Sequence, residues 1–149
     1  MLNAAGKTTI LMVEDDENDV FLFEQEFVQL MDRLRVRRVK DGVEARDYMQ
    51  GAGDYADREK YPFPNLILLD LKLPRISGLE FLEWLRSALH GNDQLTPVIV
   101  LSSSKLEADV NRASAAGVSA FLTKPAIWDV VLEQFTRLGI CGGLATPMD

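Results

Sequence analysis

Glu14, Asp15, Asp16, Glu17 and Asp19 crowd together directly after the apolar run Ile10–Val13. Two carboxylates about 4 Å apart repel by ~1 kcal/mol in water and by about 4 kcal/mol at a protein-like dielectric. Such a cluster at the end of a buried segment calls for a cation. Hard oxygen ligands with few protein contacts suit Mg²⁺, which keeps several waters and often shares a phosphate. On this reading Asp15 and Asp70 are direct ligands and Glu14 acts through a water. Part of the run has a simpler use, because Asp16 or Asn18 can cap a following helix. Capping explains one acid and not three converging from two segments. Asp70 ends a second apolar run, where a carboxylate can serve as metal ligand, nucleophile or cap. Lys124 offers an ammonium to offset the acids or to stabilise a phosphoryl oxygen. Ser102 offers a hydroxyl to the same oxygen, whereas Ser103 and Ser104 read as turn polarity.

These residues sit in a repeating frame. "TTILMV" (8–13), "NLILLDL" (65–71), "PVIVLS" (97–102) and "VSAFLT" (118–123) are short apolar runs, as expected of strands covered on both faces. "RVRRVK" (35–40) is a fifth strand candidate. Between them, Val20, Phe23, Phe27, Leu30 and Leu34 recur at helical spacing across 17–34. Asp41-Gly42 opens a helix through Met49, and Gly78 opens one with Leu79, Leu82, Leu85 and Leu89 on one face. Residues 105–116 are Ala-rich and weakly helical. Ile127, Val131, Phe135 and Leu138 mark a last helix. The pattern is (βα)5, which argues an α/β fold with a parallel sheet between helix layers. Ligands of such sheets bind beyond the carboxyl ends of the strands. Glu14, Asp15, Asp70, Ser102 and Lys124 all fall at such ends.

The 149 residues favour a single domain spanning 1–149, with a core over 8–138 and a frayed tail at 141–149. Net charge is −7, which disfavours nonspecific nucleic-acid binding. Arg33, Arg35, Arg37 and Arg38 form the only basic cluster and read as solvated strand-edge charges. Cys141 is the single cysteine, so no internal disulfide forms. No apolar run approaches the ~18 residues of a membrane span, and residues 1–10 lack a signal-peptide pattern. A cytoplasmic location is expected. "GAGDYADREKYPFP" (51–64) has no clean period and reads as a long surface loop, a class that is often functional. His90, the only histidine, reads as exposed or capping. "GKTT" (6–9) lacks the first glycine and the preceding strand of a phosphate-binding loop.

The stretches "ILMVEDDENDV", "PNLILLDLKLPRISGLEFL", "PVIVLSSS" and "AAGVSAFLTKP", in this order, resemble the receiver domain of two-component response regulators. The resemblance covers most of residues 8–138. It implies a flavodoxin-like, doubly wound sheet in strand order 2-1-3-4-5. It implies that Asp70 accepts a phosphoryl group from a sensor histidine kinase or a phosphotransfer protein. Glu14 and Asp15 match the acid pair, the backbone carbonyl of Lys72 completes the metal site, Ser102 matches the switch hydroxyl, Phe121 the switch aromatic and Lys124 the phosphate-pairing lysine. The 51–64 loop is longer than usual and is similar to that of stand-alone receivers found with bacteriophytochromes. The implied role is signalling through a surface made by the fourth helix, fifth strand and fifth helix, toward a downstream protein or a second copy in a homodimer, and not turnover of substrates. Trp128, Phe135, Ile140 and the face near Val131 are candidate contacts, although packing on the sheet is the favoured reading for Val131 and Phe135. Two rivals fit worse. A flavodoxin needs a hydroxyl- and glycine-rich loop after the first strand, and an aspartate-based phosphatase usually carries a second Asp where Lys72 stands. A receiver-like interaction module that works without phosphorylation is the remaining alternative.

Overall fold

The computed structural model describes residues 8–30, 33–88, 96–103, 106–124 and 128–139, the side chains of Gln29 and Trp128 excepted. Five strands form one sheet: β1 (Thr8–Val13), β2 (Leu34–Val39), β3 (Leu66–Leu69), β4 (Val98–Ser102) and β5 (Ala120–Thr123). They are parallel and ordered β2-β1-β3-β4-β5, the order the resemblance implies. Five helices cover the faces: α1 (Glu17–Phe27), α2 (Gly42–Gln50), α3 (Gly78–Ala88), α4 (Glu107–Ala115) and α5 (Trp128–Arg137).

The period-two alternation of strands divides the core in two. Ile10, Met12, Leu66 and Leu68 pack with Val20, Phe23, Phe27, Val131 and Phe135 from α1 and α5. Leu11, Val13, Ile67 and Leu69 pack with Ala45, Tyr48, Phe81, Leu82 and Leu85 from α2 and α3. Val131 and Phe135 are thus core residues, fully buried. His90, Ile140 and the 141–149 tail lie outside the described residues.

Two expectations need correction. The first helix does not run to residue 34: it ends at Phe27, a 3-10 turn follows over Val28–Leu30, and Leu34 opens β2. Leu34 and Val36 share a strand face against α1 and α5, so their apolar character serves period two there. The arginines of β2 are not simply solvated. Arg35 Nη1 and Arg37 Nε each donate at 2.9 Å to the carbonyls of Glu59 and Lys60, and Arg38 is tied to the acidic run. The segment 51–64 is the surface loop expected, with one 3-10 turn at Gly53–Tyr55, and it has packing of its own. Tyr48, Tyr55 and Tyr61 pack ring on ring, with Tyr48–Tyr55 and Tyr55–Tyr61 centroids 5.1 Å apart. Tyr48 Oη donates to the Pro62 carbonyl at 2.8 Å, and Arg58 donates to the carbonyls of Met49 and Tyr61 while lying over the Tyr48 ring. The segment is therefore fastened to α2 through Tyr48 and Arg58 and to β2 through Arg35 and Arg37.

Candidate functional site

Each polar residue of the site is delivered by a strand end. β1 releases Glu14, whose N–H still donates to the Val39 carbonyl at 3.1 Å and so fixes where the chain leaves the sheet. Asp16 caps α1, accepting from the N–H groups of Asn18 and Asp19 at 2.8 and 3.3 Å. That cap turns Asp19 back over the sheet edge. β3 delivers Asp70, whose N–H donates to Val13 at 3.0 Å and whose Oδ1 accepts from the Lys72 N–H at 3.1 Å. The loop after Asp70 folds tightly onto it. Gly78 donates to the Leu71 carbonyl at 2.9 Å, and a Cβ at Gly78 would overlap the Asp70 carbonyl oxygen and the Leu71 Cα. The far side of this loop rests on α2, where Arg75, in the left-handed region at φ 69°, pairs with the helix cap Asp41 at 3.4 Å.

Lys124 follows β5, and its N–H donates to the Ser102 carbonyl at 2.8 Å, which ties the ends of β4 and β5. Its ammonium donates to Glu14 Oε1 at 2.8 Å, to Asp19 Oδ2 at 2.6 Å and to Asp70 Oδ2 at 3.3 Å. Oxygens of Glu14, Asp15 and Asp70 all lie within 4.8 Å of one another. Glu14 and Asp70 are buried and Asp15 is exposed. Ser102 is fully buried at the end of β4, opposite Thr123, and Phe121 is half-buried on β5 opposite Val100.

The charges register this crowding. Burial pushes the Glu14 carboxyl from 4.5 up to about 7; the Lys124 ammonium opposes that rise and Asp70 adds to it. Burial alone would lower the Lys124 ammonium, but its contacts with Asp19 and Glu14 and the charge of Asp70 hold it well above the ordinary lysine range. One cation thus serves three acids, and the cluster keeps an excess of negative charge. Oxygen-only donors with one exposed, waterside carboxylate are what a hard divalent ion that retains waters requires. The residues present fit such an ion.

The structure brings Glu14, Asp15 and Asp70 within 4.8 Å of one another and sets Lys124 on Glu14 and Asp70, with Ser102 tied to Lys124 through the backbone. Asp19 had no role in the sequence reading beyond its charge. The available signal was its place three residues after the cap Asp16, one helical turn on and back toward the sheet edge. The Asp41–Arg75 pair had no sequence signal, because thirty-four residues separate its members.

Residues 10–135 match the family model of the response regulator receiver domain. Among curated proteins, Response regulator Rcp1 of Synechocystis sp. is 35% identical over 115 residues, covering 77% of this chain and 75% of Rcp1. The Mn²⁺-bound form of Rcp1 superposes with a TM-score of 0.67 at 30% identity, over 89% of this chain and 91% of that one. The phosphorylated cyanobacterial phytochrome response regulator RcpA gives a TM-score of 0.73 at 31% identity, over 89% and 91%. The bacteriophytochrome response regulator RtBRR gives 0.72 at 38% identity, over 90% of this chain and 79% of that one.

Proposed function

Because this chain belongs to the response regulator receiver family of two-component signalling, we propose that it is a single-domain response regulator that accepts a phosphoryl group on Asp70 from a sensor histidine kinase, with Mg²⁺ at Glu14, Asp15, Asp70 and the Lys72 carbonyl. The observation that carries this reading is the meeting of three carboxylates and one ammonium from three strand ends at a single rim. Phosphoryl transfer passes through an in-line, loosely bonded transition state, so catalysis is mainly positioning and charge neutralisation. Glu14, Asp15, Asp70 and the Lys72 carbonyl would hold the ion, which would supply positive charge to offset the acids and the phosphoryl oxygens. An Asp70 carboxylate oxygen forms the new bond to phosphorus as the bond to the donor nitrogen breaks. The Lys72 N–H on Oδ1 and the Lys124 ammonium on Oδ2 hold that carboxylate at both oxygens. Lys124 is then placed to follow a phosphoryl oxygen, and the Ser102 hydroxyl to donate to another.

The product adds about −1.5 to −2 charges and three acceptors, if it behaves like other phosphates. Movement of Ser102 toward them opens space for Phe121. The element placed to respond is α4, which buries only Ala113 of its nine residues. Polar contacts hold it instead: Arg112–Glu83 at 2.8 Å, and Arg86 on the carbonyls of Ala116 and Gly117. A helix held by few apolar contacts is a bistable element that a local charge change can bias. The partners are a histidine kinase of the phytochrome type, in keeping with the relatives RcpA and RtBRR, and a downstream protein or a second copy through α4, β5 and α5. No helix among the described residues is long and apolar enough to cross a membrane, in keeping with a cytoplasmic regulator.

Acetyl phosphate with Mg²⁺ is expected to add one phosphoryl group by intact mass, and Asp70→Asn to abolish it. Equal labelling of the variant refutes the assignment. An unlabelled wild type that still binds its kinase supports the phosphorylation-independent module instead.

A further inference from the structure

Arg38 is the one arginine of β2 aimed at the site. Strand alternation puts it on the face of Leu34 and Val36, beneath the start of α1. Its Nε donates to the Glu14 carbonyl at 2.8 Å. Its Nη1 donates to both carboxylate oxygens of Glu17, at 3.3 and 3.2 Å. Its Nη2 is buried and is the only such side-chain atom without a partner among the described residues. A buried donor left without a partner costs free energy. The side chain is nevertheless drawn in, to 20% exposure, by its two other anchors.

Those anchors bracket Asp15 and Asp16. Glu14 and Glu17 are the residues on either side, and one rigid planar fork holds both. A guanidinium suits this better than an ammonium, because its donors are fixed relative to one another. The two ends of Glu14 are thereby fixed from opposite directions, the main chain by Arg38 and the carboxylate by Lys124. Asp15, the exposed member of the acid trio, has no protein partner of its own among the described residues, so only its backbone determines where its carboxylate stands.

We propose that Arg38 is a positioning residue for the divalent-ion site: by holding the Glu14 carbonyl and the Glu17 carboxylate on either side, it fixes the turn that presents Asp15 to the ion. This rests on the reading that Glu14, Asp15 and Asp70 bind such an ion. Charge and position predict opposite signs. Arg38 is a cation beside a cation site, so if it acted only by charge, its removal would tighten the ion and Arg38→Lys would change nothing. If it positions Asp15, both Arg38→Lys and Arg38→Met weaken the ion despite the unchanged or more negative local charge.

The test is Mn²⁺ affinity of the full chain, read from the free-ion electron paramagnetic resonance signal, with no phosphodonor present. Both variants are expected to raise the Kd about fivefold or more. Hydrogen exchange of the Asp15 and Asp16 amides is expected to accelerate in parallel. Thermal melts in EDTA report folding, and Arg38→Lys, which keeps stem and charge, carries the test alone if Arg38→Met does not fold. Unchanged or tighter Mn²⁺ binding by Arg38→Lys overturns the inference while leaving the metal site intact. Failure of the wild type to bind Mn²⁺ overturns the metal-site reading itself, and the Arg38 inference with it.

Discussion

The buried acid at Glu14 makes the stability of the metal-free protein depend on pH in an unusual direction. Its side chain is 4% exposed, and burial raises its carboxyl from 4.5 to about 7. Between those values the folded protein holds a proton that the unfolded chain has released. Raising the pH through this window therefore favours unfolding. Each tenfold change in proton affinity is about 1.4 kcal/mol, so the full effect is on the order of 3 kcal/mol, most of it between pH 5 and 8. Domains of this size have only about 5–15 kcal/mol in total.

Glu14→Gln removes the titration and keeps the size. Urea unfolding of both proteins in EDTA, at unit steps from pH 5 to 8, isolates the pocket, because titrations of groups remote from it cancel in the difference. The variant is expected to gain on the wild type by about 2–3 kcal/mol across the range. Ion binding requires the ionised carboxylate, so the stabilisation of the wild type by Mg²⁺ is expected to grow over the same interval. Parallel profiles, within about 0.5 kcal/mol, would refute the claim that burial holds a proton on Glu14 and with it the picture of an over-filled acid pocket.

Three further perturbations probe the scaffold. Lys124→Met leaves Glu14, Asp19 and Asp70 without their shared cation and is expected to cost about 3 kcal/mol at pH 8 and less at pH 5, by the same unfolding assay. Gly78→Ala drives a methyl into the Asp70 carbonyl oxygen and the Leu71 Cα, which are backbone and cannot yield, so a loss of about 3 kcal/mol is expected in thermal or urea melts. Tyr48→Phe deletes the buried hydrogen bond to the Pro62 carbonyl and is expected to cost about 1–2 kcal/mol, with faster hydrogen exchange confined to the 51–64 segment.

How far the sequence reveals this structure depends on the range of the physics involved. Burial on both faces writes itself locally, as unbroken apolar runs, so β1, β3 and β4 were legible and their ends located Glu14, Asp70 and Ser102. Caps are local too: Asp16 and Asp41 stand where helix starts need them. Leu34 misled because a single apolar residue fits period 3.6 and period 2 equally, and tertiary packing decided between them. The arginines of β2 misled for a different reason. An arginine reads as solvated unless its acceptors are known, and those of Arg35 and Arg37 lie 24 and 23 residues away, on main-chain carbonyls that carry no sequence signature. The tyrosine packing of 51–64 was hidden in the same way, since three rings at irregular spacing have no period until the loop is folded.

The acidic run illustrates how distant partners divide a local pattern. Five acids within six residues look like one electrostatic object, yet the fold gives them separate duties. Asp16 is used by the helix N-terminus, Glu17 by Arg38, and Asp19 and Glu14 by Lys124. Subtracting these leaves Asp15 as the member that no protein group answers among the described residues, beside two buried carboxylates that share one ammonium with Asp19. The repulsion of the run is thus mostly neutralised by partners brought from β2 and β5, and what remains is concentrated at one exposed oxygen on the rim. A chain that needed only a soluble turn would have no reason to build two cationic anchors around that spot. A site that takes up a hard cation reversibly needs an unanswered carboxylate held still by its neighbours.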